Sequence, residues 1–166
     1  MAARAIAIWG ILGVLALLAR ALLRLTPIAI ESIEQGMTGV EWSIWGSWVV
    51  FNAWAEGYRG FQKRFSPRVV ARAFHLGANP RLLHVLFAPA FCMSLFHARR
   101  RSLVVSWTML AAIVVLVIFV RRIPQPWRGI IDAGVVVGLA WGTVATVVLF
   151  LRGLAGRAVA PPSDLP

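Results

Sequence analysis

The stretch Ser102–Val120, SLVVSWTMLAAIVVLVIFV, decides the fold class of this chain. It contains no charged residue, and arginines flank it on both sides, at Arg99–Arg101 and Arg121–Arg122. An α-helix rises about 1.5 Å per residue, so the stretch would reach roughly 28 Å, close to the ~30 Å hydrocarbon core of a bilayer. It therefore predicts a transmembrane helix and makes the chain an all-α integral membrane protein.

The composition of the whole chain agrees with a membrane location. Hydrophobic residues make up 60% of its 166 residues, and its formal net charge is +11. The arginines cluster at the ends of apolar segments, where lipid headgroups lie, and this argues against nucleic-acid binding. Lys63 is the only lysine, and with the abundant Ala, Gly and Val this indicates a GC-rich bacterial genome. The predicted location is therefore a bacterial inner membrane.

The order of apolar segments predicts a multi-pass domain over residues 1–152 and a disordered, proline-containing tail over 153–166. The candidate membrane segments are residues 5–25, 37–55, 80–98, 102–120 and 130–151. Pro89 lies in the middle of segment 80–98, so that segment is either a kinked span or a re-entrant element. The prediction is therefore four or five transmembrane helices. The positive-inside rule favours a cytoplasmic N-terminus.

A basic stretch between residues 56 and 81 predicts a short amphipathic helix. Ser66, Pro67 and Gly77 occupy positions that suit an N-cap, a first helical residue and a C′ residue, so the helix is expected over 67–76. Such a helix lies on an anionic membrane surface or docks on the protein's own helices. The residues predicted to bind lipid headgroups are Arg59, Lys63, Arg64, Arg68 and Arg72.

Segment 130–151 carries a glycine stripe, which consists of Gly134, Gly138 and Gly142 at four-residue spacing. In lipid, such a stripe lets another helix backbone approach closely. That helix belongs to this chain, to a second copy or to a protein partner. Asp132 lies one helical turn after Arg128, and this spacing predicts an intramembrane salt bridge.

The candidates for chemistry are few. His84 and His97 lie thirteen residues apart, a spacing near that of transmembrane di-haem proteins, but on a straight helix their side chains would point about 140° apart. No second histidine pair accompanies them, since His75 is the only other histidine. Cys92, the only cysteine, is expected to be a packing residue. No catalytic residue, metal site or cofactor is predicted.

These observations favour a non-enzymatic accessory or assembly subunit of a larger inner-membrane complex. Its expected partners are anionic lipid headgroups and a protein or second copy that packs on the glycine stripe. One alternative is a small oligomeric transporter or channel. Another is a membrane enzyme that acts on a lipid or isoprenoid phosphate, with basic side chains near the headgroups.

Overall fold

The computed structural model describes residues 2–162 and 164–165, and in this part of the chain all regular structure is helical. The predicted all-α class is confirmed. The elements are α1 (Ala2–Glu34), α2 (Gly39–Asn52), a π-helix (Ala53–Phe65), α3 (Ser66–Ala78), α4 (Leu82–Leu86), α5 (Ala88–Cys92), α6 (Arg100–Val120) and α7 (Trp127–Leu154).

Three of these helices, α1, α6 and α7, are long and apolar enough to cross a membrane. They contain the candidate segments 5–25, 102–120 and 130–151, and they suggest a multi-pass membrane protein. Helix α1 runs further than its apolar segment, because it continues through Pro27 to Glu34. A proline inside a membrane helix is tolerated where neighbouring groups satisfy the freed backbone carbonyl.

The π-helix joins α2 to α3 in one uninterrupted helical rod over residues 39–78. Thr38 starts the rod with a capping box, in which its side chain and that of Glu41 satisfy each other's backbone N–H groups. At the junctions, Asn52 and Ser66 keep right-handed helical φ and ψ angles. The rod thus connects segment 37–55 to the predicted helix 67–76. Ser66 is not an N-cap; its hydroxyl instead accepts a hydrogen bond from Thr146 of α7 at 2.8 Å.

Segment 80–98 does not form one helix. It holds α4 and α5, each five residues long, and neither is long enough to cross a membrane. Helix α5 folds back onto the first half of α1, where Ala88 and Cys92 lie beside Gly10. Because a side chain at Gly10 would meet Cys92, the glycine permits this close approach. The segment thus consists of two short helices separated by Phe87, and Pro89 lies in the first turn of the second.

The long elements alternate in direction between two ends of the bundle. Helix α1 runs antiparallel to α7, since Ser32 meets Gly129 at one end and Ala7 clusters with Phe150 at the other. The rod runs parallel to α7. We call the end with Ala2, Ala78 and Leu154 the terminal end, and the end with Glu34, Gly39 and Trp127 the loop end. Helix α6 starts near the terminal end and finishes near the loop end.

The main apolar core lies at the terminal end, where α1, α3, α5 and α7 meet. Its most deeply buried members have almost no exposed surface: Ala7, Ile11, Val14, Val69, Val70, Ala73, Leu76, Ala88, Phe91 and Cys92. Gly10 of α1 and Ala88 and Cys92 of α5 are small and allow a short distance between these two helices. This core holds α5 against the long helices and so positions the groups described next.

Candidate functional site

Arg72 of α3 is fully buried at the terminal end. Its Nε donates a hydrogen bond to the carbonyl of Phe91 at 2.6 Å, and its Nη2 donates to the carbonyls of Phe96 and His97 at 3.2 and 3.1 Å. The guanidinium also lies over the Phe91 ring, 4.2 Å from its centroid. Arg72 therefore ties α3 to α5 and to the segment that follows it.

The carboxylate of Asp164 completes this arrangement. Its Oδ2 lies 3.3 Å from Nη1 of Arg72 and accepts a hydrogen bond from the Ser94 hydroxyl at 2.6 Å. The Asp164 carbonyl accepts a further bond from the Arg99 backbone N–H at 2.8 Å. The tail thus returns to the bundle at Asp164, in contrast to the disorder predicted over 153–166. Residues 163 and 166 of that range lie outside the described residues.

The burial of Arg72 separates it from the other residues predicted to bind headgroups. Sequence periodicity places Arg72 with Arg68 on one face of α3. The Arg72 guanidinium, however, already donates hydrogen bonds to three backbone carbonyls and a carboxylate. It is therefore not free to bind a headgroup. Headgroup binding by the remaining four stays a prediction, and three of them, Arg59, Lys63 and Arg64, have exposed side chains.

A polar cavity of about 220 Å³ lies beside Arg72. It brings together all three histidines of the chain, from α3, α4 and the segment after α5. The lining residues are His75, Asn79, Arg81, His84, Phe91 and His97. The rings of His84 and His97 are 4.6 Å apart between centroids, and the His84 ring stacks on Phe91 at 5.0 Å. We call this group the histidine cavity.

The sequence separation of His84 and His97 did not predict the histidine cavity, because the predicted angle between their side chains holds only for a straight helix. The chain instead turns between α4 and α5 and again after α5, and the two rings meet. Ser94 and His97 have positive φ angles, 58° and 48°, which non-glycine residues seldom adopt. The hydrogen bonds from Arg72 and Ser94 hold this strained segment in place. Such over-determined strain clusters at functional sites.

The electrostatic surroundings of the histidine cavity are cationic. Burial lowers the pKa of His84 below its ordinary value, and the nearby His97, Arg81 and Arg72 lower that pKa further. Among the described residues that line the cavity none is acidic, and the Asp164 carboxylate is already paired with Arg72. No group of three His, Cys, Asp or Glu residues in the described ranges has the arrangement of a metal site. The donors and charges suit an anion.

Cys92 lies next to this region but faces the apolar core. Its side chain is fully buried, and burial raises the pKa of its thiol to about 12. A thiol in this state is neither a nucleophile nor a metal ligand at neutral pH. Its contact with Gly10 is a packing contact.

The glycine stripe of α7 faces the rod. A Cβ built at Gly134 would meet Trp48 and Asn52, one at Gly138 would meet Glu56, and one at Gly142 would meet Phe61. These neighbours belong to the same chain. The stripe therefore packs against another helix of this chain, which is one of the alternatives that the sequence left open. Packing of a partner or second copy on the stripe stays a prediction.

Arg128 and Asp132 lie on the first turns of α7, and the Arg128 Nε is 3.9 Å from Asp132 Oδ2. This distance fits a weak ion pair and is too long for a hydrogen bond. The Asp132 side chain is nearly buried, whereas that of Arg128 is 30% exposed.

No protein-family model, curated protein or solved structure matches the chain.

Proposed function

We propose that this chain is a non-enzymatic subunit of a bacterial inner-membrane complex and that α6 is the helix that binds its partner. The observation that supports this proposal is the isolation of α6. It has no extensive interface with another helix in the described part of the chain. Within its most apolar window 11% of the residues are buried, against 33% for α7.

The contacts of α6 with its own chain lie close to its ends. Near its start, the Ser106 hydroxyl and the Trp107 indole donate hydrogen bonds to the carbonyls of Met93 and Leu95. Near its end, Val120 is buried. Between these points every side chain from Thr108 to Phe119 is exposed or half-exposed. Helix α6 is therefore anchored at both ends and uncovered between them.

The partner that suits this surface is a transmembrane helix of another protein. Lipid tails are as apolar as α6, so association in the bilayer depends on close packing rather than on hydrophobicity. Ala111 and Ala112 are adjacent, exposed and small, and they lie about halfway along α6. They give a partner backbone room to approach.

The proposed placement has four crossings, with the rod as the fourth. Helices α1 and α6 cross in one direction and the rod and α7 in the other, so both termini lie on one side. Arg4, Arg81, Arg99–Arg101 and Arg152 lie toward the terminal end. The positive-inside rule makes this end cytoplasmic.

Purification of the full chain in mild detergent, followed by native mass measurement, tests the proposal. We expect a stoichiometric complex with one other membrane protein. Ala112→Trp should reduce its yield, whereas Ala16→Trp, at an exposed alanine of α1, should not. A chain that purifies without a partner, or equal effects of the two variants, would contradict the assignment to α6.

One observation favours a small oligomeric transporter as a second candidate. A Cβ built at Gly138, near the middle of α7, would lie 2.9 Å from a Glu56 carboxylate oxygen. If the rod and α7 both cross, this carboxylate is near the bilayer midplane, where ionisable groups usually mark an ion pathway. Loss of proton or cation flux in reconstituted vesicles on Glu56→Gln, but not on Glu34→Gln, would support this candidate.

A further inference from the structure

We infer that the histidine cavity is a binding site for a phosphate group, formed by His75, His84, His97 and Arg81. It is independent of the partner proposed for α6, because it lies at the terminal end and no residue of α6 lines it. Four observations support this site: hydrogen-bond donors converge there, the surroundings are positively charged, hydrogen bonds hold the segment that carries His97, and an apolar surface lies next to the cavity.

The donors converge from separate elements. His75 comes from α3, Arg81 immediately precedes α4, His84 lies on α4 and His97 follows α5. In the described ranges, none of these side chains forms a hydrogen bond within the protein, so their N–H groups are available to a ligand. Arginine and protonated imidazole N–H groups form charge-assisted hydrogen bonds with phosphate oxygens, and these are stronger than bonds between neutral groups.

The charge around the cavity selects an anion over a metal cation. Arg81 lines the cavity with a fixed positive charge, and the Arg72 guanidinium, which is paired with Asp164, lies behind the Phe91 ring. The nearest carboxylate, Asp164, is bonded to Arg72 and Ser94 and is not part of the lining. A phosphate would supply a negative charge opposite Arg81, and it would favour the protonated imidazoles.

Hydrogen bonds within the protein hold the segment that carries His97. Arg72 donates to the carbonyls of Phe96 and His97, and Ser94 donates to Asp164. With positive φ angles at Ser94 and His97, these bonds keep the His97 ring close to His84. A preorganised site loses less conformational entropy when it binds its ligand.

An apolar patch continues from the cavity along α4. It consists of Leu82, Leu83, Leu86 and Phe87, each more than half exposed. Because His84 lies on the same short helix, insertion of this patch into the membrane interface would place the cavity at headgroup depth. The phosphate of a lipid headgroup and a free phosphate share the chemistry that the site recognises, and the patch favours the lipid.

Binding of inorganic phosphate to the full-length protein in detergent, measured by calorimetry at pH 6.5, tests the site. We expect saturable binding with one phosphate per chain, and affinity at least about tenfold weaker in Arg81→Gln and in His84→Gln. Arg122→Gln removes the same charge at the loop end and should bind as the unchanged protein does. Arg81 is exposed, so its variant should fold normally, and a circular dichroism melt checks each variant.

Native mass measurement from nanodiscs that contain phosphatidic acid separates the two sources. One retained phosphatidic acid per chain, lost in Arg81→Gln and displaced by inorganic phosphate, identifies a lipid headgroup. Phosphate binding without a retained lipid identifies a free anion. Equal phosphate affinity in Arg81→Gln and Arg122→Gln, no saturable binding, or tighter zinc binding that depends on the same histidines would overturn the inference.

Discussion

At the scale of single residues, Arg72 and Asp164 have the most consequential contacts in the chain. An arginine side chain remains charged in proteins, and burying it is tolerated only when its donors are satisfied. Here three carbonyls and one carboxylate satisfy the guanidinium. Asp164 in turn connects the tail, which the sequence predicts to be disordered, to the bundle.

Removing one member of this pair should destabilise the fold. Asp164→Ala leaves the Arg72 guanidinium buried without its counter-charge, and breaking a buried pair typically costs about 3–5 kcal/mol. We expect a lower midpoint of thermal unfolding in detergent, with a larger drop for Arg72→Ala. Glu34→Gln, an exposed carboxylate at the loop end, is the control and should leave the midpoint unchanged. Equal midpoints for Asp164→Ala and this control would show that the tail contact contributes nothing.

His84 should make stability depend on pH. Its pKa in the folded protein lies below the ordinary 6.5, so the unfolded chain binds more protons between the two values. Stability therefore rises with pH through this window and falls as pH drops below about 6.5. We expect the midpoint of unfolding in phosphate-free buffer to decrease from pH 7.5 to pH 5, and the decrease to be smaller in His84→Gln. The same decrease in both proteins would exclude His84 as its source.

At the scale of elements, the apolar segments predicted the three long helices because length and hydrophobicity decide a span on their own. Segment 102–120 differs from α6 by two residues at its start. The sequence did not predict the continuous rod, since Ser66 and Pro67 are typical of a helix start and the π-helix that precedes them has no sequence signal. Nor did it predict the histidine cavity or the burial of Arg72, because both depend on contacts of α3 with α4, α5 and the segment after α5. Local periodicity carries no information on those contacts.

Packing between the rod and α7 should depend on the glycine stripe. Leucine at Gly138 would place a Cβ 2.9 Å from Oε2 and 3.0 Å from Cβ of Glu56, so the Glu56 side chain would have to move and the two helices to shift. Overpacking of this kind typically costs about 1–3 kcal/mol. Gly46→Leu is a matched control, because a Cβ at Gly46 meets nothing within 4 Å. The expected result is a lower unfolding midpoint for Gly138→Leu alone; equal midpoints for the two variants would contradict the observed interface.

At the scale of the whole molecule, the chain consists of a packed unit of α1, the rod, α5 and α7, with α6 beside it. Within the packed unit, small residues let the helices approach one another closely. Helix α6 is apolar enough to cross a membrane but makes few contacts with the packed unit. This division is what we expect of a subunit that folds by itself and offers one helix to a partner.

The direction of the long elements predicts where the termini lie. With the rod as a fourth crossing, both ends of the chain are on the cytoplasmic side. Fluorescent-protein fusions, which fluoresce only in the cytoplasm, should be bright at the N-terminus and at the C-terminus. A reporter that is active only outside the cytoplasm should be active when inserted after Gln125, between α6 and α7. Termini on opposite sides would contradict the antiparallel packing of α1 and α7.

A photocrosslinking scan along α6 in native membranes tests most directly whether this helix binds a partner. A crosslinking residue is placed in turn at each position from Thr108 to Phe119. We expect crosslinks to one membrane protein at positions that recur with the helical period of 3.6 residues, centred on Ala111 and Ala112. The exposed Ala16 of α1 should give no such crosslink. Labelling of lipid alone all around α6, with no protein crosslink at any position, would contradict the claim that α6 binds a partner.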